Sequence, residues 1–345
     1  MKKIAVILFN LGGPDGPKAV KPFLLNLFSD PAIIHLPAPL RQTAARLIAG
    51  KRAKTARAIY AKIGGRSPIL ENTQAQAKAL AQELADLGEI RCLIAMRYWH
   101  PFIEEIARET AAFEPDEIVL LPLYPQFSTT TTASSLKAWE KAARASAIKA
   151  SVKIICCYPE EPGFIEAMTQ AVRAAFEKAT SHGAPRILFS AHGLPEKIVR
   201  QGDPYAFQCQ RTAETLAKKL NLKNSDWVLC YQSRVGPLSW IGPSVDEEIA
   251  RAGRDRVPVV IVPISFTCEH AETLFELDIF YRDLAVHTGV PYFVRVSTVG
   301  AAPLFIGGLA RLVRQALAGM QKCPAGAGNR ICPPGLTGCV NYDRG

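Results

Sequence analysis

Long apolar runs are missing from this 345-residue sequence. No run approaches the roughly 18 apolar residues that a membrane-spanning helix needs. The nearest is "AAPLFIGGLARLVRQALAGM", which contains Arg311 and Arg314. The first residues, "MKKIAVILFNLGGP", lack the small-residue cleavage site of a signal peptide, so they predict a first β-strand instead. We therefore expect a cytoplasmic protein that is soluble or peripheral to a membrane.

Nucleotide-binding signatures are missing as well. The first glycine turn, "NLGGP", does not have the G-x-G-x-x-G spacing of a dinucleotide site, and the chain contains no Walker-type phosphate loop. A disulfide framework is not expected either, because the nine cysteines occur without an export signal. The net charge of +10 permits binding to anionic lipid, nucleic acid or carboxylate-bearing ligands, and it does not choose among them.

Short apolar runs alternate with segments in which apolar residues recur at helical spacing. The runs cover residues 3–9, 90–96, 117–124, 152–158, 186–191, 227–232, 257–264 and 292–297. Because the runs are continuous rather than alternating, we expect strands that are buried on both faces of parallel sheets. The alternation of strands and helices predicts an α/β fold in which helices cover the sheets.

The two halves of the chain begin alike. Residues 6–14, "VILFNLGGP", and residues 186–195, "RILFSAHGLP", each combine a strand, a glycine turn and a proline. This weak repeat predicts two similar domains, joined where "YPEEPGF" breaks the pattern. The predicted divisions are an N-terminal domain over 1–160, a C-terminal domain over 161–310, and a final helix with a cysteine tail over 311–345.

Ligands of parallel α/β sheets bind beyond the carboxyl ends of the strands, so the loops at those ends are candidate site segments. His192 ends the predicted strand "ILFSA", directly before "GLP" turns the chain away. Its imidazole, with an ordinary pKa near 6.5, can exchange a proton near neutral pH or bind a metal ion. We expect the site in a cleft between the two domains.

Residues 265–278, "SFTCEHAETLFELD", place several acidic groups directly behind an apolar strand. We predict a helix with Thr267 as its N-cap and with Glu269, Glu272 and Glu276 along one face. Acidic residues in a first turn are favoured by the helix dipole alone, so a solvated helix is one interpretation. A row of carboxylates leading from a strand end also suits the movement of protons or divalent cations.

Aromatic residues fall in several loops at strand ends. They include Phe9, Tyr60, Tyr98, Trp99, Tyr124, Phe127, Trp240 and Phe266. Such residues usually belong to a core, but at strand ends they could form a flat apolar slot with Arg or Ser donors at its edge. That slot would suit a planar ligand with acidic groups on its periphery.

Seven motifs, in this order, resemble the ferrochelatase family, whose members insert Fe²⁺ into a porphyrin in the last step of haem synthesis. The motifs are "LFNLGGP", "IGGRSPI", "MRYWHPFIEE", "LPLYPQFSTTTTASSL", "FSAHGLP", "YQSRVGPLSWIGP" and "FTCEHAETLFELD". The resemblance covers residues 4–315. It implies two Rossmann-like domains, each a four-stranded parallel sheet flanked by helices, facing one cleft. The implied substrates are protoporphyrin IX and Fe²⁺, and the implied product is protohaem.

The resemblance also implies roles for individual residues. His192 and Glu272 match the catalytic pair of the family, and the implied metal-binding set is His192, Glu272, Glu269 and Glu276. Glu269 stands where the family usually has Asp. The porphyrin-binding positions are matched by Arg52, Tyr60, Ser67, Arg97, Tyr98, Phe127, Trp240 and Phe266. Our hypothesis is that His192 accepts pyrrole protons and that the row beginning at Glu272 relays protons or carries iron.

Residues 20–57 resemble the flexible apolar lip that covers the cleft in the family. Together with Lys51, Arg52, Lys54 and Arg57, this lip could rest on an anionic membrane that supplies the apolar porphyrin. The alternative is a solvated basic helix. No nucleic acid is expected as a partner.

Cys323, Cys332 and Cys339 lie in a Gly/Pro-rich tail that has no core of its own. Together with Cys157, or with its neighbour Cys156, they would form a four-thiolate site for a [2Fe–2S] cluster or for zinc. Many ferrochelatases contain such a cluster, although the tail spacing here is wider than in animal members and looks closer to bacterial ones. Thiols that hold no metal are the third interpretation.

Two other functions fit part of the pattern. A related chelatase would insert cobalt or nickel into a tetrapyrrole, but the long two-domain chain and "FSAHGLP" favour iron. A non-catalytic porphyrin or haem carrier would need the slot and would not need an acidic row beside His192. The cysteine tail favours protoporphyrin over coproporphyrin as the substrate.

Overall fold

The computed structural model describes residues 2–223, 226–319 and 331–340. Its strands are β1 (Lys3–Asn10), β2 (Glu89–Met96), β3 (Glu117–Pro122), β4 (Ser151–Ile154), β5 (Arg186–His192), β6 (Trp227–Gln232), β7 (Val259–Pro263) and β8 (Phe293–Arg295). They form two four-stranded sheets with the orders β2-β1-β3-β4 and β6-β5-β7-β8. Every pair of neighbouring strands is parallel. The predicted α/β fold with two four-stranded parallel sheets is confirmed.

Helices connect the strands and cover the sheets. The α-helices are α1 (Val20–Ser29), α2 (Ala38–Lys62), α3 (Ile69–Glu83), α4 (Ile103–Phe113), α5 (Thr132–Ala145), α6 (Pro162–Thr180), α7 (Glu196–Arg200), α8 (Tyr205–Lys219), α9 (Val245–Asp255), α10 (Tyr281–His287) and α11 (Pro303–Leu317). A 3₁₀ helix spans Ala85–Leu87, and a π-helix spans Glu272–Phe280. Local sequence explains some of the helix starts, because Ser244 and Glu247 form a capping box for α9.

The sequence repeat corresponds to a structural repeat. The two similar segments contain β1 and β5, and each of these strands occupies the second position of its sheet. Four predicted runs, 117–124, 152–158, 257–264 and 292–297, are longer than the strands they form, and the largest excess at one end is in the run 152–158, which forms β4 only as far as Ile154. The chain then leaves the sheet, and the backbone N–H of Tyr158 donates to the carbonyl of Pro125 at 2.7 Å instead of continuing the ladder.

A hydrophobic core cluster joins the two halves of the molecule. It contains Leu8 of β1, Phe189 of β5, Phe164 of α6 and Phe305 of α11, all fully buried. Helix α6 packs on the second sheet, α11 packs on the first sheet and on α3, and the two helices pack on each other. The domain limits near residues 160 and 310 stay a prediction, and both helices contribute residues to the shared core.

The carboxyl ends of the two sheets meet at the segment that follows β7. Asn10, the last residue of β1, donates through Nδ2 to Cys268 Sγ at 3.3 Å. Gln76 of α3 donates to the Thr267 carbonyl at 3.0 Å, and the Thr267 hydroxyl donates to the Leu123 carbonyl at 3.0 Å. These contacts connect the first half of the chain to the predicted site segment. Within the described ranges, no helix has the length and apolar character needed to cross a membrane.

Candidate active site

The segment after β7 differs from its predicted form in two respects. The predicted helix with a Thr267 N-cap is wrong, because the helix begins at Glu272 and the Thr267 hydroxyl is bonded to the Leu123 carbonyl. The helix is also a π-helix rather than an α-helix. π-helical segments are rare and frequently occur at functional sites, so the departure itself points to this segment.

His192 lies where the sequence predicts, at the last position of β5. Its Nδ1 is 3.4 Å from Oε2 of Glu272, and the same oxygen is 3.2 Å from Nε2 of His270. One carboxylate oxygen therefore lies between two imidazoles. Burial opposes ionisation of Glu272, but His192 and His270 outweigh it and hold the pKa of Glu272 far below its usual range. The two imidazoles thus favour the ionised form of Glu272.

The pKa values of two neighbouring groups, His192 and Glu276, are shifted upward instead. Burial alone would lower the pKa of His192, but the negative charges of Glu272 and Glu276 raise it above its ordinary value. Burial and the charge of Glu272 also raise the pKa of Glu276, against the hydrogen bonds from Ser233 and Gln232. The side chains around Glu272 therefore include two groups that gain protons more readily than usual. Adjacent groups with divergent pKa values are typical of proton-transfer sites.

Hydrogen bonds fix Glu276 to the end of β6. Its Oε1 accepts from the Ser233 backbone N–H at 2.8 Å, and its Oε2 accepts from the Ser233 hydroxyl at 2.5 Å and from Gln232 Nε2 at 3.0 Å. Gln232 Nε2 also donates to the Glu272 carbonyl at 3.0 Å. The end of β6 thus holds the π-helix beside the end of β5, where His192 lies.

Glu269 is not on one helical face with Glu272 and Glu276, so that prediction is wrong. Glu269 precedes the π-helix, and its carboxylate accepts from Arg295 Nη1 at 2.9 and 3.1 Å and from the Thr298 backbone N–H at 2.9 Å. Burial opposes ionisation, but the charge of Arg295 lowers the pKa of Glu269. The metal-binding role of Glu269 stays a prediction. Its carboxylate already has a cationic partner, Arg295.

Three of the predicted porphyrin-binding residues lie near His192 or His270, the two histidines beside Glu272. The ring of Phe266 contacts the ring of His270, with 4.6 Å between centroids. Trp240 packs against Gly193, since a Cβ added there would be 3.3 Å from the indole. Tyr60 of α2 belongs to the buried cluster against which Ala271, the residue before the π-helix, packs, and burial and the charge of Glu272 raise the pKa of Tyr60.

A network at the end of β2 contains two further predicted residues and one that sequence reasoning missed. The Asp30 carboxylate accepts from Tyr98 Oη at 2.8 Å and from Ser134 Oγ at 2.5 Å, and it pairs with Arg97 Nη2 at 2.7 Å. Asp30 is the only acidic residue between Asp15 and Glu71. A single acidic residue within an otherwise basic segment is the sequence feature that could have identified Asp30 as a site residue.

The remaining predicted porphyrin residues are scattered. Arg52 is exposed on α2, with its guanidinium 5.7 Å from the centroid of the Phe28 ring. Ser67 is buried against Gly13, where an added Cβ would lie 2.5 Å from the Ser67 hydroxyl. Phe127 is fully buried beside Cys156 and Cys157, so it offers no surface to a ligand in this structure.

Two of the predicted cysteines, Cys157 and Cys332, approach one side chain from remote segments, and Cys323 lies outside the described residues. Cys156 Sγ is 3.4 Å from Cys157 Sγ, and Gln208 Nε2 donates to Cys157 Sγ at 3.5 Å and to Cys332 Sγ at 3.2 Å. The tail returns to the body near Cys339, where the Gly338 N–H donates to the Gly202 carbonyl at 3.0 Å. Within the described part of the chain, no three His, Cys, Asp or Glu residues are placed to hold one metal ion.

Comparisons with known proteins find relatives that match nearly the whole chain. The family model described as Ferrochelatase matches residues 3–317. A ferrochelatase of Caulobacter vibrioides is 56% identical over 319 residues, which covers 92% of this chain and 91% of that protein. A ferrochelatase of Phenylobacterium zucineum is 52% identical, covering 97% of this chain and 99% of the relative. One from a Wolbachia of Drosophila simulans is 51% identical, covering 90% and 98%.

Solved structures resemble the fold at much lower identity. The SirB protein from Bacillus subtilis, solved with Fe³⁺, superposes with a TM-score of 0.52 at 14% identity and covers 92% of this chain and 96% of its own. A multi-domain protein from Deinococcus radiodurans with structural similarity to chelatases gives a TM-score of 0.51 at 12% identity, covering 89% of this chain and 54% of its own. At such identities the likeness concerns the fold alone.

Proposed function

Since this chain belongs to the ferrochelatase family, we propose that it inserts Fe²⁺ into protoporphyrin IX and thereby forms protohaem at the His192–Glu272 pair. The chain is accordingly an enzyme, a metal-inserting lyase of haem synthesis. The observation that supports this site is the Glu272 oxygen between His192 and His270, at 3.4 and 3.2 Å. Insertion exchanges two pyrrole N–H protons for one dication, so the site needs both a base and an anionic ligand.

We assign the proton-accepting role to His192. Its raised pKa makes the neutral imidazole a stronger base, and the Glu272 anion stabilises the imidazolium that forms when a pyrrole proton arrives. Glu276, whose pKa is also raised, is the next group along the π-helix that can receive a proton. Glu272 also supplies an oxygen donor, and His192 before it is protonated a nitrogen donor, of the kinds that Fe²⁺ binds.

The porphyrin would lie between the two sheets' carboxyl ends. We propose that Tyr60, Trp240 and Phe266 contact its faces, since Phe266 touches His270, Trp240 packs beside Gly193, and Tyr60 lies in the cluster that Ala271 contacts. The propionates would approach Arg97, Arg52 and Ser67 through charge and hydrogen bonding. Tyr98 and Phe127, at 1% and 0% exposure, would act from beneath the surface rather than touch the ring.

An anaerobic insertion assay tests this function. The purified chain is mixed with protoporphyrin IX and Fe²⁺, and the loss of porphyrin fluorescence is followed together with the rise of haem absorbance. We expect turnover with Fe²⁺. Insertion of Co²⁺ or Ni²⁺ without insertion of Fe²⁺ would identify the alternative chelatase, and tight porphyrin binding without any insertion would identify a carrier.

We also propose a [2Fe–2S] cluster held by Cys323, Cys332, Cys339 and Cys157. The support is the approach of buried Cys157 and Cys332 to one donor, the Gln208 amide, because amide hydrogen bonds to cysteine sulfur are a usual feature around such clusters. Cys156 is the alternative fourth ligand, 3.4 Å from its neighbour. A bound cluster would supply one-electron transfer, and the chain's own contribution is to bury the sulfurs and orient them through Gln208.

Iron and sulfide analysis of anaerobically purified protein tests the cluster. We expect about two iron and two sulfide ions per chain and a visible absorption band that is present before any substrate is added. Cys332→Ser should remove both, whereas Cys92→Ser, on β2, should retain both. Stoichiometric zinc, or thiols that all react with a thiol reagent in the absence of metal, would refute the cluster.

Residues 20–57 support a further proposal, peripheral contact with the inner face of an anionic membrane. Leu40 and Leu47 of α2 are 60% and 70% exposed, and Leu36 just before α2 is 42% exposed. The stretch 31–70 contains no acidic residue and includes Lys51, Arg52, Lys54 and Arg57. Exposed leucines with interleaved basic residues are typical of helices that lie in a lipid interface.

Vesicle sedimentation tests the membrane contact. Leu40→Glu together with Leu47→Glu should lower binding to anionic vesicles by at least about tenfold, since each buried leucine contributes about 2 kcal/mol. Val286→Glu, which changes a 70% exposed apolar residue outside this stretch, should bind like the wild type. Equal binding by all three proteins, or no binding by the wild type, would contradict the proposal.

A further inference from the structure

Arg295 joins two acidic residues that flank the catalytic part of the π-helix. Its Nη1 donates to both carboxylate oxygens of Glu269, at 2.9 and 3.1 Å, and its Nη2 lies 2.8 Å from Oδ2 of Asp278. The Arg295 side chain is only 9% exposed. One largely buried guanidinium therefore bridges a residue before the π-helix and a residue within it.

The segment between these two acids contains the proposed reaction groups. His270, Glu272 and Glu276 all lie between Glu269 and Asp278 in the sequence. A π-helix is less stable than an α-helix of the same length, so its persistence requires contacts from outside the segment. Arg295 supplies such contacts from the carboxyl end of β8, an element of the sheet that also holds His192.

Charge gives a second reason for the bridge. Glu269, Glu272, Glu276 and Asp278 place four carboxyl groups within ten residues, and like charges at such spacing repel one another. Arg295 neutralises the two outer groups, while His192 and His270 partner Glu272. A lysine could not replace it fully, because an ammonium lacks the planar fork that reaches two carboxylates at once.

We propose that Arg295 is a positioning residue of the insertion site, which clamps both sides of the Glu272 segment and thereby sets Glu272 against His192. This inference rests on the proposed function. Arg295 itself needs no contact with porphyrin or iron. Loss of the clamp should leave porphyrin binding intact and should impair the insertion step, because the reacting groups would lose their relative placement.

Three variants test the clamp. Arg295→Met should lower kcat for Fe²⁺ insertion by about 100-fold, the usual effect of a displacement near 1 Å among reacting groups, with porphyrin Kd within about threefold of wild type. The kcat of Arg295→Lys should lie between those of Arg295→Met and the wild type. Arg282→Met is the matched control, because Arg282 approaches the same Asp278 carboxylate at 3.6 Å from a 48% exposed position. It should retain kcat within about twofold.

Hydrogen exchange provides a readout that does not depend on activity. We expect amide exchange in the peptide covering residues 269–280 to be about tenfold faster in Arg295→Met than in the wild type, and unchanged in Arg282→Met. If the wild type inserted no iron, the proposed function would fail while exchange could still demonstrate the clamp. Unchanged exchange in Arg295→Met would overturn the clamp even in a fully active protein.

Kinetics can overturn the inference independently. If Arg295→Met kept wild-type kcat, or lost porphyrin binding in proportion to activity, Arg295 would not position the insertion step. If Arg295→Met failed to fold, Arg295→Lys would decide. A folded lysine variant with wild-type kcat and wild-type exchange would then refute the proposal.

Discussion

Replacing His192 by alanine is expected to lower the rate of iron insertion by about 1000-fold, the middle of the range for removing a general base. The porphyrin would lose the proposed acceptor of its N–H protons, and Glu272 would lose a partner 3.4 Å away. Binding of protoporphyrin should change by less than about fivefold, because the aromatic and arginine side chains proposed to contact the porphyrin are unchanged. Glu272→Gln should lower turnover to a similar extent, since the amide keeps the shape and removes the charge.

His182→Ala is the matched control for the His192 variant. His182 precedes β5, so it lies towards the opposite end of the same strand, where its exposed ring stacks on Tyr292 at 4.2 Å. Initial rates at saturating Fe²⁺ and porphyrin, together with porphyrin fluorescence quenching, give kcat and Kd for each protein. If His192→Ala turned over at the rate of His182→Ala, the proposed base would have to be another group.

The placement of His192 could be predicted from the sequence for a general physical reason. Parallel strands end at one edge of a sheet, so a polar residue that directly follows an apolar run lies at that edge. The run 227–232 similarly predicts β6 to the residue, and its last residue, Gln232, contacts Glu276. Short buried strands bounded by turns are defined locally, and therefore the two sheets and their site edge follow from local pattern.

The π-helix could not be predicted in the same way. The spacing of Glu272 and Glu276 fits an α-helix equally well, because the choice between the two helices depends on contacts from distant segments. Those contacts come from Arg295 on β8 and from Ser233 after β6. Periodicity also places Glu269 wrongly for this reason, because its carboxylate is bound by Arg295, a residue remote in sequence.

Phe127 and Asp30 illustrate a second limit of local pattern. Phe127 sits in a loop at a strand end, yet the backbone folds it into the interior beside Cys156. Asp30 follows α1, and its carboxylate reaches Arg97 and Ser134, which are remote in sequence. Whether a loop side chain points outward or inward is decided by packing between segments, so sequence alone identifies the loop and not the direction.

The second large effect is expected at Gly163, where α6 crosses α11. A Cβ added at Gly163 would lie 2.2 Å from the backbone carbonyl oxygen of Leu304 and 3.1 Å from the Cα of Gly308. Neither atom belongs to a flexible side chain, so the helices themselves would have to separate. Both helices belong to the core that joins the two sheets, through Phe164 and Phe305.

Gly163→Ala is therefore expected to lower the free energy of unfolding by about 3 kcal/mol, the upper range for overpacking a core. Gly307→Ala, on α11, is the control: an added Cβ there meets nothing within 4 Å. It should instead stabilise the protein by up to about 1 kcal/mol through helix propensity. Urea titrations followed by circular dichroism would measure both changes. Equal stability of the two variants would show that the α6–α11 contact yields easily and that the shared core does not depend on it.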